Sequence, residues 1–127
     1  MKFSPLTPVI AALIASGMAS PAGAESVAGI QLYPGASDSD VEGSEKVLKD
    51  TGYPVAVCRH TADSLDKVVA FYRNDKQLSP MGEPSKDNAG FYNKAGASMS
   101  INSPWINMKT FQMTNGTMIC IASKSAK

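Results

Sequence analysis

Cysteine and histidine are the side chains of this sequence best suited to nucleophilic or metal chemistry. Cys58 lies two residues before His60, the only histidine of the 127-residue chain, and Cys120 is the only other cysteine. A thiolate beside an imidazole is the pairing that cysteine-dependent enzymes use. Three hypotheses follow from these residues: an enzyme, a disulfide and a metal site.

The spacing of the pair argues against an enzyme. Residues i and i+2 of an extended strand share a face but lie about 7 Å apart along the backbone. A reactive thiolate also needs a cation or a helix N-terminus beside it, whereas Arg59 points to the opposite face of the strand. No phosphate-binding loop, serine elbow or paired-acid signature appears elsewhere. We predict no catalytic activity and keep a cysteine-dependent enzyme as an alternative.

The disulfide hypothesis pairs Cys58 with Cys120. An even number of cysteines in an exported chain favours a bridge, and this one would span 62 residues. It requires the two cysteines to lie in neighbouring strands. Two separate buried thiols are the alternative.

The metal hypothesis combines His60 with the thioethers of Met108 and Met113, a soft ligand set that suits copper(I). The stretch "PWINMKTFQM" is similar in composition to periplasmic copper-binding segments that place tryptophan beside methionines. Because methionine more often fills gaps in a core, the copper site is an alternative only, and we predict no cofactor.

The N-terminus predicts export. Residues 1–24 combine Lys2, an apolar run and a small-residue end, as in a secretory signal peptide of bacterial type. The remaining chain carries 11 basic and 11 acidic residues, which disfavours nucleic acid as a partner. No later segment is apolar enough for a membrane span. We expect a periplasmic or secreted protein.

The elements that must position these side chains divide into two parts. Residues 25–43 are rich in Gly, Ser and Asp and predict a flexible N-terminal arm. Residues 44–127 predict a single domain. Within it, "PVAVCRH" is typical of a strand, and the following segment places Leu65, Val68 and Val69 on one helical face. The segment "SEKVLKDTG" fits a short helix or a strand.

After this helix the pattern becomes that of strands. "GFYN" and "ASMSIN" indicate a hairpin, and Asn115-Gly116 lies between two β-rich runs, the strongest short-range signal for a two-residue hairpin turn. We predict an α+β domain, with an antiparallel sheet of about five strands and one main helix packed on a face, in the order strand, helix, meander.

The turn "YPGA" at 33–36, together with the helix "TADSLDKVVAFY" at 61–72 and the glycine-punctuated strands after it, resembles a group of small exported bacterial domains. These domains share a Tyr-Pro-Gly-Ala turn and a helix that ends in Phe-Tyr, and their function is unknown. The resemblance implies an α+β domain and names no activity.

We therefore expect a non-catalytic binding or structural module whose partner is an unknown protein or small ligand. The expected contact surface is the sheet face that the helix leaves uncovered, together with Trp105, Ile106 and Met108. Trp105 would be an exposed aromatic anchor. The alternative is that Trp105 covers the edge of the core.

Overall fold

The computed structural model describes residues 25–124. The predicted signal peptide at 1–24 lies outside the described residues. The elements, in chain order, are β1 (Ser26–Val27), β2 (Ile30–Gln31), α1 (Glu42–Asp50), β3 (Val55–Thr61), α2 (Leu65–Arg73), β4 (Ser79–Pro80), β5 (Asn88–Tyr92), β6 (Ala97–Asn102), β7 (Trp105–Asn107), β8 (Gln112–Thr114) and β9 (Thr117–Ser123).

The main sheet is antiparallel and has the strand order β3-β9-β6-β5-β4. The strand β9, which lies between β3 and β6, is buried along its whole length. The strand is apolar on both faces because each face supports a separate cluster of buried side chains. Ile119 and Ile121 belong to one cluster, and Met118 and Cys120 to the other.

Helix α2 covers the first face of this sheet. Its amphipathic spacing is the one predicted, and Leu65, Val68, Val69 and Tyr72 are all buried. Ser64 caps the helix by accepting a hydrogen bond from the Lys67 backbone N–H. The helix, the sheet and the N-terminal segment share one core.

The predicted fold class is wrong in the proportion of strand to helix and in the order of the elements. Among residues 25–124, strands account for 38% and helices for 18%, so this part of the chain is mostly β, and it contains two helices rather than one main helix. The strands form the five-stranded sheet and two small two-stranded sheets. The predicted meander is interrupted because β7 and β8 pair with each other between β6 and β9.

The Asn115-Gly116 turn therefore does not close a hairpin. Strand β9 is paired with β3 on one edge and with β6 on the other, so neither edge is free for β8. Gly116 has φ +103°, and a Cβ there would lie 2.5 Å from the Thr61 carbonyl oxygen. The glycine is required for a close approach between loops.

The N-terminal segment is packed onto the domain, in contrast to the expected loose arm. Ile30 and Tyr33 are buried in the α2-side core, and Val41 is buried in the second cluster. The expected boundary between residues 43 and 44 falls within α1. A Gly- and Ser-rich composition did not reveal these three widely spaced apolar anchors.

No helix among residues 25–124 is long and apolar enough to cross a membrane.

Candidate binding site on the β7–β8 hairpin

The second face of the sheet holds the residues that the sequence singled out. Cys58 and Cys120 are directly opposite each other in β3 and β9 and form a disulfide. The predicted bridge is confirmed, and the alternative of two free thiols is wrong. Since each sulfur is bonded to the other, neither is available as a nucleophile or as a thiolate ligand while the bridge is intact.

His60 lies on the same face and packs against Trp105. The two rings are stacked, with centroids 4.8 Å apart and planes inclined by 25°. His60 Nε2 forms a hydrogen bond with Ser39 Oγ at 3.0 Å, and Ser39 Oγ is 2.9 Å from Ser37 Oγ. Sequence reasoning missed both serines, because they approach His60 only through the folding of residues 33–41 onto β3.

The Ser39–His60 pair has the atoms of a serine–histidine dyad but not its setting. Within residues 25–124, no carboxylate forms a hydrogen bond with the imidazole to orient it, a role that the triad arrangement requires. Ser39 lies on an exposed turn. We interpret the contact as one that fastens the N-terminal segment to β3.

Trp105 is buried, with 2% of its surface exposed. It contributes to the second cluster together with Val41, Met118 and the disulfide. The predicted exposed aromatic anchor is therefore wrong, and Trp105 covers the core edge. Its role is to hold the β7–β8 hairpin against the sheet.

The hairpin is amphipathic because successive residues of a strand point to opposite faces. Trp105 and Asn107 are buried, whereas Ile106, between them, is 49% exposed. Ile106 lies directly opposite Met113, which is 60% exposed. One face of the hairpin is therefore buried, and the opposite face exposes the apolar side chains of Ile106 and Met113 to solvent.

Asn107 builds the loop that connects the two strands. Its side-chain oxygen accepts hydrogen bonds from the backbone N–H groups of Lys109 and Thr110, as in an Asx turn. Its carbonyl accepts a 2.7 Å bond from the Phe111 N–H. Phe111 has φ +59° and is 78% exposed. We call Ile106, Phe111 and Met113 the hairpin surface.

A groove of about 380 Å³ lies beside the hairpin. Its lining residues are Met108, Met113, Met118, Trp105, Ile106, Pro104, Ser44 and Asn102. We call it the methionine groove. The sequence predicted Trp105, Ile106 and Met108 as binding residues, and the structure brings all three to its wall.

The residues of the copper hypothesis are only partly assembled. Met108 and Met113 line the same groove, while His60 is stacked on Trp105 and hydrogen-bonded to Ser39. The described residues contain no group of three or more His, Cys, Asp or Glu side chains placed to hold a metal ion. The copper site stays a prediction.

Comparison of the chain with protein-family models, curated proteins and solved structures finds no match. The resemblance to small exported bacterial domains therefore also stays a prediction.

Proposed function

We propose that this chain is an exported, non-catalytic binding module that contacts a protein partner through the hairpin surface. The main support for this proposal is the exposure of three apolar side chains on one small hairpin: Ile106 is 49%, Phe111 78% and Met113 60% exposed. Folding alone does not require apolar side chains at these positions. Clustered apolar residues on a protein surface are typical of interaction sites, and aromatic residues and methionine are enriched at interfaces.

The anchoring of the hairpin supports a role in recognition. An isolated two-stranded hairpin is marginally stable in water, but this one is held from below by the buried Trp105 ring. The exposed side chains are thus presented on a fixed backbone. A fixed backbone lowers the conformational entropy lost on binding.

The disulfide supports the proposed location of the protein in an oxidising compartment. Its presence is consistent with an oxidising environment such as the periplasm. Together with the predicted signal peptide, it leads us to place the proposed module in the bacterial periplasm or outside the cell.

Site-specific photo-crosslinking in cells tests the proposal. A benzophenone side chain at position 111 should yield a discrete crosslinked protein adduct. The same group at Val47, an exposed position on α1, should yield none. Adding Ile106→Asp should reduce the adduct at least about fivefold, because a charge would be buried in an apolar interface.

Met81→Asp is the matched control, since Met81 and Ile106 are both 49% exposed and Met81 lies outside β7, β8 and their connecting loop. This variant should leave the crosslink at position 111 unchanged. Equal adducts from positions 111 and 47, or equal losses with the two aspartate variants, would contradict a contact through the hairpin surface.

A further inference from the structure

Three segments of the chain meet around a second cleft, which has a volume of about 400 Å³. They are the β1–β2 turn, the segment that leads from α2 into β4, and the β5–β6 turn. The lining residues are Gly29, Lys76, Gln77, Ser79, Asn93, Lys94 and Ala95. We call it the lysine cleft.

Hydrogen bonds hold the walls of the lysine cleft. Asn93 Nδ2 donates to the Ala28 carbonyl at 2.9 Å, and Asn93 Oδ1 accepts from the Ala97 N–H at 2.9 Å. These bonds tie the β1–β2 turn to the β5–β6 turn. In the third segment, Asp75 Oδ1 accepts a 2.9 Å bond from the Gln77 N–H. Because the walls are held without a ligand, less conformational entropy is lost on binding.

The lysine cleft concentrates positive charge. Lys76 and Lys94 both line it, and none of the described residues that line it is acidic. Neither ammonium group forms an ion pair within residues 25–124, whereas three other lysines each lie within 3.8 Å of an aspartate. Since the whole chain has 12 basic and 11 acidic residues, the cleft is a local excess of charge. Like charges repel, and a bound anion would offset this repulsion.

The charges and the volume of the cleft restrict the ligand. Two ammonium groups balance two negative charges, and a dicarboxylate carries one charge on each of its two groups at pH 7. A phosphate group carries about −1.5 to −2 by itself, so a ligand with two phosphates would exceed the balance. The volume of about 400 Å³ is that of a site for a small organic molecule, larger than a single oxyanion needs.

We propose that the lysine cleft binds a small polar dicarboxylate, with one carboxylate beside Lys76 and the other beside Lys94. Gln77 and Ser79 supply neutral hydrogen-bonding groups for the part of the ligand between the carboxylates. This inference goes beyond the proposed function, because the residues of the lysine cleft include none of the hairpin surface.

Glutarate and its monoamide, glutaramate, test the inference by calorimetric titration at low ionic strength. The two probes have the same carbon chain, but glutaramate has only one carboxylate. We expect glutarate to bind about fivefold more tightly, as one exposed ion pair would give. Raising the ionic strength to about 1 M should remove the difference, because salt screens exposed charges. Inorganic phosphate should bind more weakly than glutarate.

Nuclear magnetic resonance locates the bound probe. Glutarate should shift the backbone amide signals of Gly29, Lys94 and Ala95, which line the cleft. The signals of Phe111 and Met113 on the hairpin surface should not move. Shifts confined to the hairpin surface would overturn the assignment of the site.

Lys76→Gln and Lys94→Gln should each reduce the affinity for glutarate about fivefold. Each should also bind glutarate and glutaramate about equally, since one ammonium group is left. Lys86→Gln is the matched control. Lys86 is exposed like the other two lysines and lies outside the cleft, and its replacement changes the net charge by the same amount. This variant should bind glutarate as the parent chain does.

Three results would overturn the inference: equal affinity of the parent chain for glutarate and glutaramate, tighter binding of phosphate than of glutarate, or an equal loss with Lys86→Gln. All three lysines are exposed, so the variants should fold. The crosslink at position 111 should be unchanged in each of them, which separates a failure of this inference from a failure of the proposed function.

Discussion

Tyr33 shows how a residue in a predicted surface turn comes to act in the core. Its hydroxyl donates a 2.6 Å hydrogen bond to Asp63 Oδ2, and its ring meets Phe71 edge-on with centroids 5.2 Å apart. Burial, with the hydrogen bond to Asp63 adding to it, raises the pKa of Tyr33 from 10.0 to about 12. Burial raises the pKa of Tyr72 in the same direction.

This shift predicts a loss of stability at high pH. The folded state holds the Tyr33 proton more tightly than the unfolded chain, so its contribution is fully present below pH 10 and is lost as the pH rises towards 12. The parent chain should therefore lose stability above pH 10 more steeply than Tyr33→Phe. At pH 7 the variant should already be less stable by about 1.5–3 kcal/mol, through loss of the bond to a carboxylate.

Urea unfolding between pH 7 and 11.5, followed by Trp105 fluorescence, measures both effects. Tyr92→Phe is the control because Tyr92 is exposed, and its pH profile should follow that of the parent chain. Parallel profiles for the parent chain and Tyr33→Phe would show that this phenol does not couple folding to pH.

At the scale of elements, β3 is an edge strand, and the outward backbone groups of Cys58 and His60 are occupied. The Cys58 N–H donates to Glu45 Oε2 of α1 at 2.8 Å, and the Cys58 carbonyl accepts from Arg59 Nη1 at 3.1 Å. The backbone of His60 exchanges hydrogen bonds with Ser37. Unpaired edges promote strand addition and aggregation, so these contacts protect the part of the β3 edge at Cys58 and His60.

The hydrogen bond from the Cys58 N–H to Glu45 also holds α1 against the sheet. The helix has no buried residue, and Leu48 is its partly buried link to the second cluster. Glu45→Ala should therefore destabilise the chain by about 1–3 kcal/mol, because the Cys58 N–H would lose its acceptor. Glu45→Gln should retain part of this free energy through its amide oxygen.

Glu42→Ala is the matched control, since Glu42 and Glu45 both lie in the first turn of α1 and share its helix-dipole effect. Unfolding free energies from chemical denaturation should rank the chains parent, Glu42→Ala, Glu45→Gln and Glu45→Ala, from most to least stable. A loss with Glu42→Ala as large as that with Glu45→Ala would show that α1 is held by its charge at the helix terminus alone.

At the scale of the whole molecule, the disulfide joins β3 and β9, which are the first and last strands of the main sheet in sequence and neighbours within the sheet. The two cysteines are separated by 62 residues in the sequence. Both cysteines are buried beneath Val41, Leu48 and Trp105. The bond thus closes most of the domain into one covalent loop. A loop of this length stabilises the fold mainly by restricting the unfolded chain.

Replacing both cysteines with alanine should lower the unfolding free energy by about 4 kcal/mol in the chain-entropy model. Denaturation with and without a strong reductant measures the effect. The parent chain should fall to the level of the double variant under reducing conditions, and the double variant should not respond to the reductant. A parent chain as stable when reduced as when oxidised would contradict the predicted contribution.

Local patterns determined the parts of this protein whose contacts are close in sequence. The spacing of Leu65, Val68 and Val69 specifies the buried face of α2, because residues three and four apart lie on one side of a helix. Alternation in "ASMSIN" specifies the hairpin of β5 with β6. The even cysteine count and the predicted export left a disulfide and two separate thiols as alternatives, and the pairing of β3 with β9 decides for the disulfide.

The tertiary structure determined how the β7–β8 hairpin and the groove beside it are formed. Whether Asn115-Gly116 closes a hairpin depends on which strand edges are free, and β3 and β6 occupy both edges of β9. That competition between distant strands pairs β8 with β7, buries Trp105 and gathers Met108, Met113 and Met118 around one groove. Pairings between distant strands depend on long-range contacts, which spacing along the chain does not encode.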